Sequence, residues 1–229
     1  MHRFTTTTCT RSGHRDVTLQ LVHTLPIPNL ERILLDYFET AVGRGAKYLP
    51  GQIIRFGWSV LRVCERSDGT LGIEERALTP ELAWTESVDH ALMDLFTQQQ
   101  IAASVGLVDE MSYPTQDDSL LVTACAVEAT AMSFTRLDGE LPDGFSGWSL
   151  TCAEDHDHGQ AEALPLLALA ANQPGLVQLL PLPPGCHVAV RFVDKEGAPT
   201  GGRIEPHIFR KGVELVPVEG SYLAALQGP

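Results

Sequence analysis

Residues 52–76 read Gln52-Ile53-Ile54-Arg55-Phe56-Gly57-Trp58-Ser59-Val60-Leu61-Arg62-Val63-Cys64-Glu65-Arg66-Ser67-Asp68-Gly69-Thr70-Leu71-Gly72-Ile73-Glu74-Glu75-Arg76. Ile, Phe, Trp and Val dominate Gln52 to Cys64, and Ser67-Asp68-Gly69-Thr70 separates that run from Leu71 to Glu75. Side chains of this kind suit a pleated, half-buried surface, and Asp-Gly supplies the positive φ of a tight turn. The stretch is expected to be a β-hairpin, which sets the class as α+β once its neighbours are read. Upstream, Val17, Leu19 and Leu21 alternate with Thr18 and Gln20 as in a half-buried strand, and Pro26 and Pro28 then punctuate the chain. Asn29 stands where a cap belongs. Leu30, Ile33, Leu34, Tyr37, Phe38 and Ala41 recur at helical spacing, and Gly43 and Gly45 stop the helix.

Downstream, Thr79-Pro80 suits the start of a short helical turn, and Val88, Leu92, Leu95, Phe96 and Gln99 share one face of a second helix ending near Gly106. Its other face, with Glu86, Asp89, Asp94 and Gln98-Gln99-Gln100, is expected to meet solvent. The polar segment Val108 to Asp118, holding Tyr113-Pro114, reads as a linker. Strands are then expected at Leu120 to Val127, Ala131 to Arg136 and Trp148 to Cys152, divided by turns at Asp138-Gly139 and Pro142-Asp143-Gly144. Leu164 to Ala171 suits a short helix and Pro181 to Gly185 a rigid turn. His187 to Val193 is expected to pair with Ile204 to Arg210 across Gly197 to Gly202. The fold expected is therefore α+β with mostly antiparallel sheet: a flexible terminus over 1–14, an N-terminal domain over 15–108 carrying two main amphipathic helices, and a sheet-rich domain over 119–229. The Thr-rich run Thr5 to Thr8 is read as a frayed end or a loose edge strand.

A chain of 229 residues with 44% hydrophobic side chains has ample material for packed cores. The net charge of −13 is unevenly spread. Residues 1–70 carry nine Lys/Arg against six Asp/Glu, residues 71–165 carry two against eighteen, and residues 166–229 balance five against five. The middle of the chain thus holds a charge of −16, offset only by Arg76 and Arg136. Such a surface repels nucleic acid and anionic membranes and draws in basic proteins. The apolar stretch Ala163 to Ala171 is broken by Pro165 and is too short to span a bilayer. The opening residues contain no apolar run of signal-peptide length, so a cytoplasmic location is expected. Cys9, Cys64, Cys125, Cys152 and Cys186 are widely spaced without a CxxC pair, as reduced thiols would be.

The densest set of potential ligands is Cys152, Glu154, Asp155, His156, Asp157 and His158. Cys152, His156 and His158 offer donors that suit zinc, but no CxxC, HExxH or second ligand pair accompanies them, so neither metal nor cofactor is expected. Around Ser146, the GxSxG spacing of a nucleophile turn is missing because Gly147 follows directly. Gly43-Arg44-Gly45-Ala46-Lys47 follows a helix and lacks the Gly-Lys-Ser/Thr ending of a phosphate loop.

Leu35-Asp36-Tyr37-Phe38-Glu39, Pro50-Gly51-Gln52-Ile53-Ile54, Gly57-Trp58 and Trp84-Thr85-Glu86-Ser87-Val88 resemble the N-terminal part of bacterial immunity proteins from polymorphic-toxin and contact-dependent competition systems. Ser146-Gly147-Trp148-Ser149-Leu150, Pro174-Gly175-Leu176 and Leu179 to Gly185 resemble the immunity-type domain of their C-terminal part. The resemblance implies a cytoplasmic antidote that binds a cognate toxin without catalysis of its own. Joined to the charge pattern, it leads to an expected acidic contact surface for a basic toxin: Asp109, Glu110, Asp117 and Asp118 in one segment, and Glu154, Asp155 and Asp157 in another. Two rival expectations are a secretion adaptor or chaperone that loads an effector, and a hydrolase or metal enzyme built on Cys152, His156 and His158.

Overall fold

The computed structural model describes residues 1–78, 83–126, 129–193 and 203–228. Thr79-Pro80, Val127 and the Gly197–Gly202 connection lie outside the described residues. The class is α+β with mostly antiparallel sheet, and the chain divides into two compact units, Met1–Phe96 and Thr97–Pro229. The division falls inside a helix, not in the segment expected to be a linker.

In the first unit, β1 (His2–Thr5), β2 (Val17–Leu21), β3 (Ile53–Phe56), β4 (Ser59–Glu65), β5 (Leu71–Arg76) and β6 (Trp84–Thr85) form one sheet in the order β1-β2-β5-β4-β3, with β6 also on β5. The hairpin expected from residues 52–76 is present as β4 and β5, closed by Asp68, whose Oδ1 accepts from the Thr70 amide (3.0 Å) and hydroxyl (2.7 Å). Gln52 to Cys64 is not one strand. Gly57, at φ 61°, and Trp58 make a two-residue turn that pairs Phe56 with Ser59, so β3 and β4 are a second hairpin. Residues 1–14 hold an edge strand, β1, and a 3-10 turn, Cys9–Ser12. β1 pairs antiparallel with β2, and Thr6 fixes the next step by receiving the Val17 amide (2.8 Å) and donating to Asp16 (3.1 Å). A strand held by threonine hydroxyls shows no hydrophobic period.

Helix α1 (Glu31–Gly43) buries Leu34, Leu35, Phe38 and Val42. Asn29 does not cap it: its φ is 61°, and its backbone carbonyl, not its side chain, receives the Arg32 amide (3.0 Å). At the other end Gly45 takes φ 95° and the Ala46 amide closes on the Ala41 carbonyl (3.0 Å). Helix α2 (Asp89–Ser104) spans the unit division, and its polar face is only partly solvated: Asp89 and Gln98 are buried, Asp94, Gln99 and Gln100 half-buried, and Glu86 just before the helix exposed. Asp89 receives the Val22 and His23 amides, the half-buried Asp94 receives the Trp58 indole N–H (2.8 Å), and the Gln98 side-chain amide donates to the Val177 carbonyl (3.0 Å). The buried Glu75 of β5 caps this helix, accepting from the Ala91 amide at 2.9 Å and the His90 ring at 3.0 Å.

In the second unit, β7 (Ser119–Thr123), β8 (Ala131–Arg136), β9 (Phe145–Cys152), β10 (Ala161–Pro165), β11 (Cys186–Val193), β12 (Arg203–Arg210) and β13 (Val213–Glu214) form a sheet in the order β10-β7-β9-β8-β11-β12-β13. The expected β11–β12 pairing is present in full register. Leu164 to Ala171 splits between the end of β10 and α3 (Leu166–Asn172), and a short C-terminal helix α4 (Tyr222–Gln227) follows β13. Trp148 stacks on Phe134 with centroids 4.0 Å apart and is fully buried. Gly147 takes φ 82° where β7 and β9 shift register, and an added Cβ there would lie 2.8 Å from Leu141. Glycine is needed at this bulge.

Beneath Trp148 sits Arg136, a buried guanidinium. Its Nη1 donates to the carbonyls of Ser112 (2.7 Å), Leu180 (3.2 Å) and Leu182, and the Trp148 indole also donates to the Leu180 carbonyl (3.0 Å). The segment expected to be a linker is thereby part of the packed unit. Ser112 donates its amide to Pro181 (2.9 Å), Gln116 is buried, and the Asp118 carbonyl receives the Leu166 amide (2.8 Å).

Candidate functional site

β7 and β9 run parallel, so their C-terminal ends emerge side by side. Beyond β7 a 3-10 turn, Ala124–Ala126, carries Cys125, and beyond Cys152 the chain turns back through His156 and His158 before entering β10. Cys152 Sγ lies 3.0 Å from His156 Nε2 and 3.4 Å from His158 Nδ1, while Cys125 Sγ lies 3.4 Å from the same His158 Nδ1. The four ligand atoms all fall within 4.8 Å of one another. Sequence reading brought together Cys152, His156 and His158 and missed Cys125. Parallel pairing joins strands distant along the chain, and no local spacing announces it.

Two features order this cluster. The Asp157 carbonyl lies 2.8 Å from His156 Nδ1 and accepts its proton, leaving Nε2 as a free lone pair beside Cys152. The Thr123 hydroxyl (3.2 Å), with the His158 ring and the Cys152 amide, holds the Cys125 thiol down to about 6, whereas burial pushes the Cys152 thiol up. All five cysteines are unpaired; Cys9, Cys152 and Cys186 are buried, and Cys64 and Cys125 are half-buried.

The acidic residues expected to contact a partner are not one patch. Asp109, Glu110, Asp117, Glu154, Asp155 and Asp157 are exposed, and Asp118 is half-buried. Residues 109–118 precede β7, and residues 154–157 follow β9, which runs parallel to it. The two segments sit at opposite ends of that strand pair, separated by about 15–20 Å at the usual rise per residue. Glu110, Asp118 and Asp157 are among those that also have local structural work. Glu110 accepts from both Arg210 guanidinium nitrogens (2.8 and 2.6 Å), a pairing that holds its carboxyl below the ordinary range. Asp118 receives the Thr115 amide (2.7 Å), and Asp157 the Gly159 amide (2.9 Å). Among the described residues, the Glu154 and Asp155 side chains have no hydrogen-bond or ion-pair partner.

The motifs set aside in the sequence have structural roles. Ser146 Oγ donates to the Ser119 carbonyl (2.8 Å) and accepts the Trp148 amide (3.2 Å), which occupies it inside the bulge. Gly45-Ala46-Lys47 lines a cleft of about 280 Å³ with His14 and Arg15. In that cleft the His14 ring is engaged on both sides, by the Arg15 carbonyl (2.6 Å) and the Tyr48 amide (2.9 Å). Among the described residues no helix is long and apolar enough to cross a membrane. Comparison with protein-family models, with curated proteins and with solved structures gives no significant match.

Proposed function

We propose that the chain is an immunity protein: it binds a cognate protein toxin stoichiometrically in the cytoplasm and neutralises it by laying an acidic surface over the toxin's basic active-site region. The observation that carries this reading is the loop after β9, which exposes Glu154, Asp155 and Asp157 from the segment of the chain that holds a charge of −16. Carboxylates presented together raise the encounter rate with a basic partner and, once desolvated against it, give strong charge pairs. The resemblance of Ser146-Gly147-Trp148 and its surroundings to immunity-type domains supports the same reading. Asp109 and Asp117, at the other end of the strand pair, form a secondary contact region, and Glu110 and Asp118 contribute mainly to the fold.

The test is co-expression with the product of each reading frame that neighbours this chain's own and proves toxic when expressed alone. An immunity protein restores growth of the producing cell; an adaptor that only loads an effector leaves the cell poisoned. Glu154→Lys combined with Asp155→Lys should weaken toxin binding by roughly 2–5 kcal/mol and abolish rescue. Binding that stays within about threefold of the unaltered chain, under 1 kcal/mol, removes this loop from the interface.

A further inference from the structure

We propose that Cys125, Cys152, His156 and His158 form a tetrahedral zinc site that fastens the loop after β9 to the ends of β7 and β9. Zinc is held by thiolates at about 2.3 Å and by imidazoles at about 2.0–2.1 Å, so a tetrahedral Cys2His2 shell sets sulfur-to-nitrogen edges of about 3.5 Å. Three such edges are already 3.0, 3.4 and 3.4 Å, and the widest separation among the four donors stays within 4.8 Å. Closing the shell needs side-chain shifts of about an ångström, without any change in strand pairing. The donor set is also the right one: two sulfurs and two imidazole nitrogens favour zinc over the oxygen-seeking cations.

The surroundings have the form that metal-binding histidines use. A backbone carbonyl on Nδ1 fixes the tautomer and aims Nε2 at the ion, and here the Asp157 carbonyl does this for His156. The Thr123 hydroxyl contacts the Cys125 sulfur from behind. Four protein donors fill the shell and leave no position for a reactive water, so the site is structural rather than catalytic. Its ligands come from two segments, Cys125 on one and Cys152 to His158 on the other, so one ion joins parts of the chain that sequence order keeps apart. The proposal stands on ligand geometry and does not depend on the toxin-binding reading.

The experiment is elemental analysis of the full chain purified under reducing conditions, followed by cobalt(II) exchange. The result expected is one zinc per chain and, after exchange, the visible absorption of tetrahedral cobalt with thiolate ligands. Cys125→Ser and His156→Gln should each weaken zinc by more than the roughly 10–100-fold typical of losing an outer partner. His156 is exposed, so its variant keeps the fold even if a cysteine variant does not. Chelation should accelerate amide exchange in residues 153–160 selectively. Protein that takes up neither zinc nor cobalt overturns the proposal, as does zinc that survives in both variants. So does a Cys125–Cys152 disulfide that forms in place of metal binding when zinc is supplied.

Discussion

Arg136 shows how much one side chain can organise. A guanidinium is never cheaply buried, and this one is accepted because it donates to the carbonyls of Ser112, Leu180 and Leu182, the second of which it shares with the Trp148 indole. Desolvation lowers its pKa only to about 10, so it stays charged at neutral pH. Arg136→Met should destabilise the second unit by about 3–5 kcal/mol in chemical denaturation. A loss under about 0.5 kcal/mol, the scale of a surface substitution, would show that the three carbonyls find other donors. Asp94 is the opposite case, a half-buried acid held against its ordinary tendency. Burial lifts its carboxyl from 3.8 to about 6 although the Trp58 indole donates to it. The folded chain therefore binds a proton more tightly there than the unfolded chain does. That contribution to stability is complete below the unfolded value and is lost as the pH rises through about 6. Asp94→Asn keeps an acceptor for Trp58 and should stabilise the fold by about 2–3 kcal/mol near pH 7.5, with the gain vanishing near pH 4. Denaturation midpoints across that range check the sign, and a difference that does not vary with pH counts against it.

Among the elements, helix α2 departs most from what its sequence suggests. Its acids and glutamines look like a solvated face, yet Asp89, Asp94 and Gln98 each satisfy a group on a different segment. Polarity in sequence reports a need for hydrogen bonds and not where they are found. The cap is equally hidden, because Glu75 lies on β5 and reaches the first-turn amides from outside the helix. Glu75→Ala removes an anion from a helix N-terminus and an acceptor from buried amides, and should cost about 2–4 kcal/mol; Glu75→Gln, which keeps an acceptor, should cost less. Equal losses for the two variants would show that the charge has no part. Where an element is closed by its own turn, sequence reading succeeds. Asp68-Gly69 announces the β4–β5 hairpin, and β11 and β12 match the expected pairing. Gly57-Trp58 was the missed turn, since an apolar tryptophan in a run of strand formers disguises it.

For the whole molecule, the class and the antiparallel pairs β4–β5 and β11–β12 follow from hydrophobic period and turn chemistry, whereas the remaining strand order, including the parallel pairs β2–β5 and β7–β9, does not. The candidate site was half legible for that reason. His156, His158 and Cys152 are neighbours in sequence, and Cys125 joins them only through the β7–β9 pair. The charge distribution was fully legible as a sum over segments, but its placement was not: one chain segment of like charge is folded so that its two densest runs lie at opposite ends of a strand pair. Glu110, Asp118 and Asp157 meanwhile serve as local acceptors.

The strand pair that keeps those runs apart also governs how their energies combine. Groups much farther apart than about 7–10 Å, with no shared neighbour, contribute independently. A bound macromolecule reaching both ends would feel two separable grips, and losses from altering each would simply add.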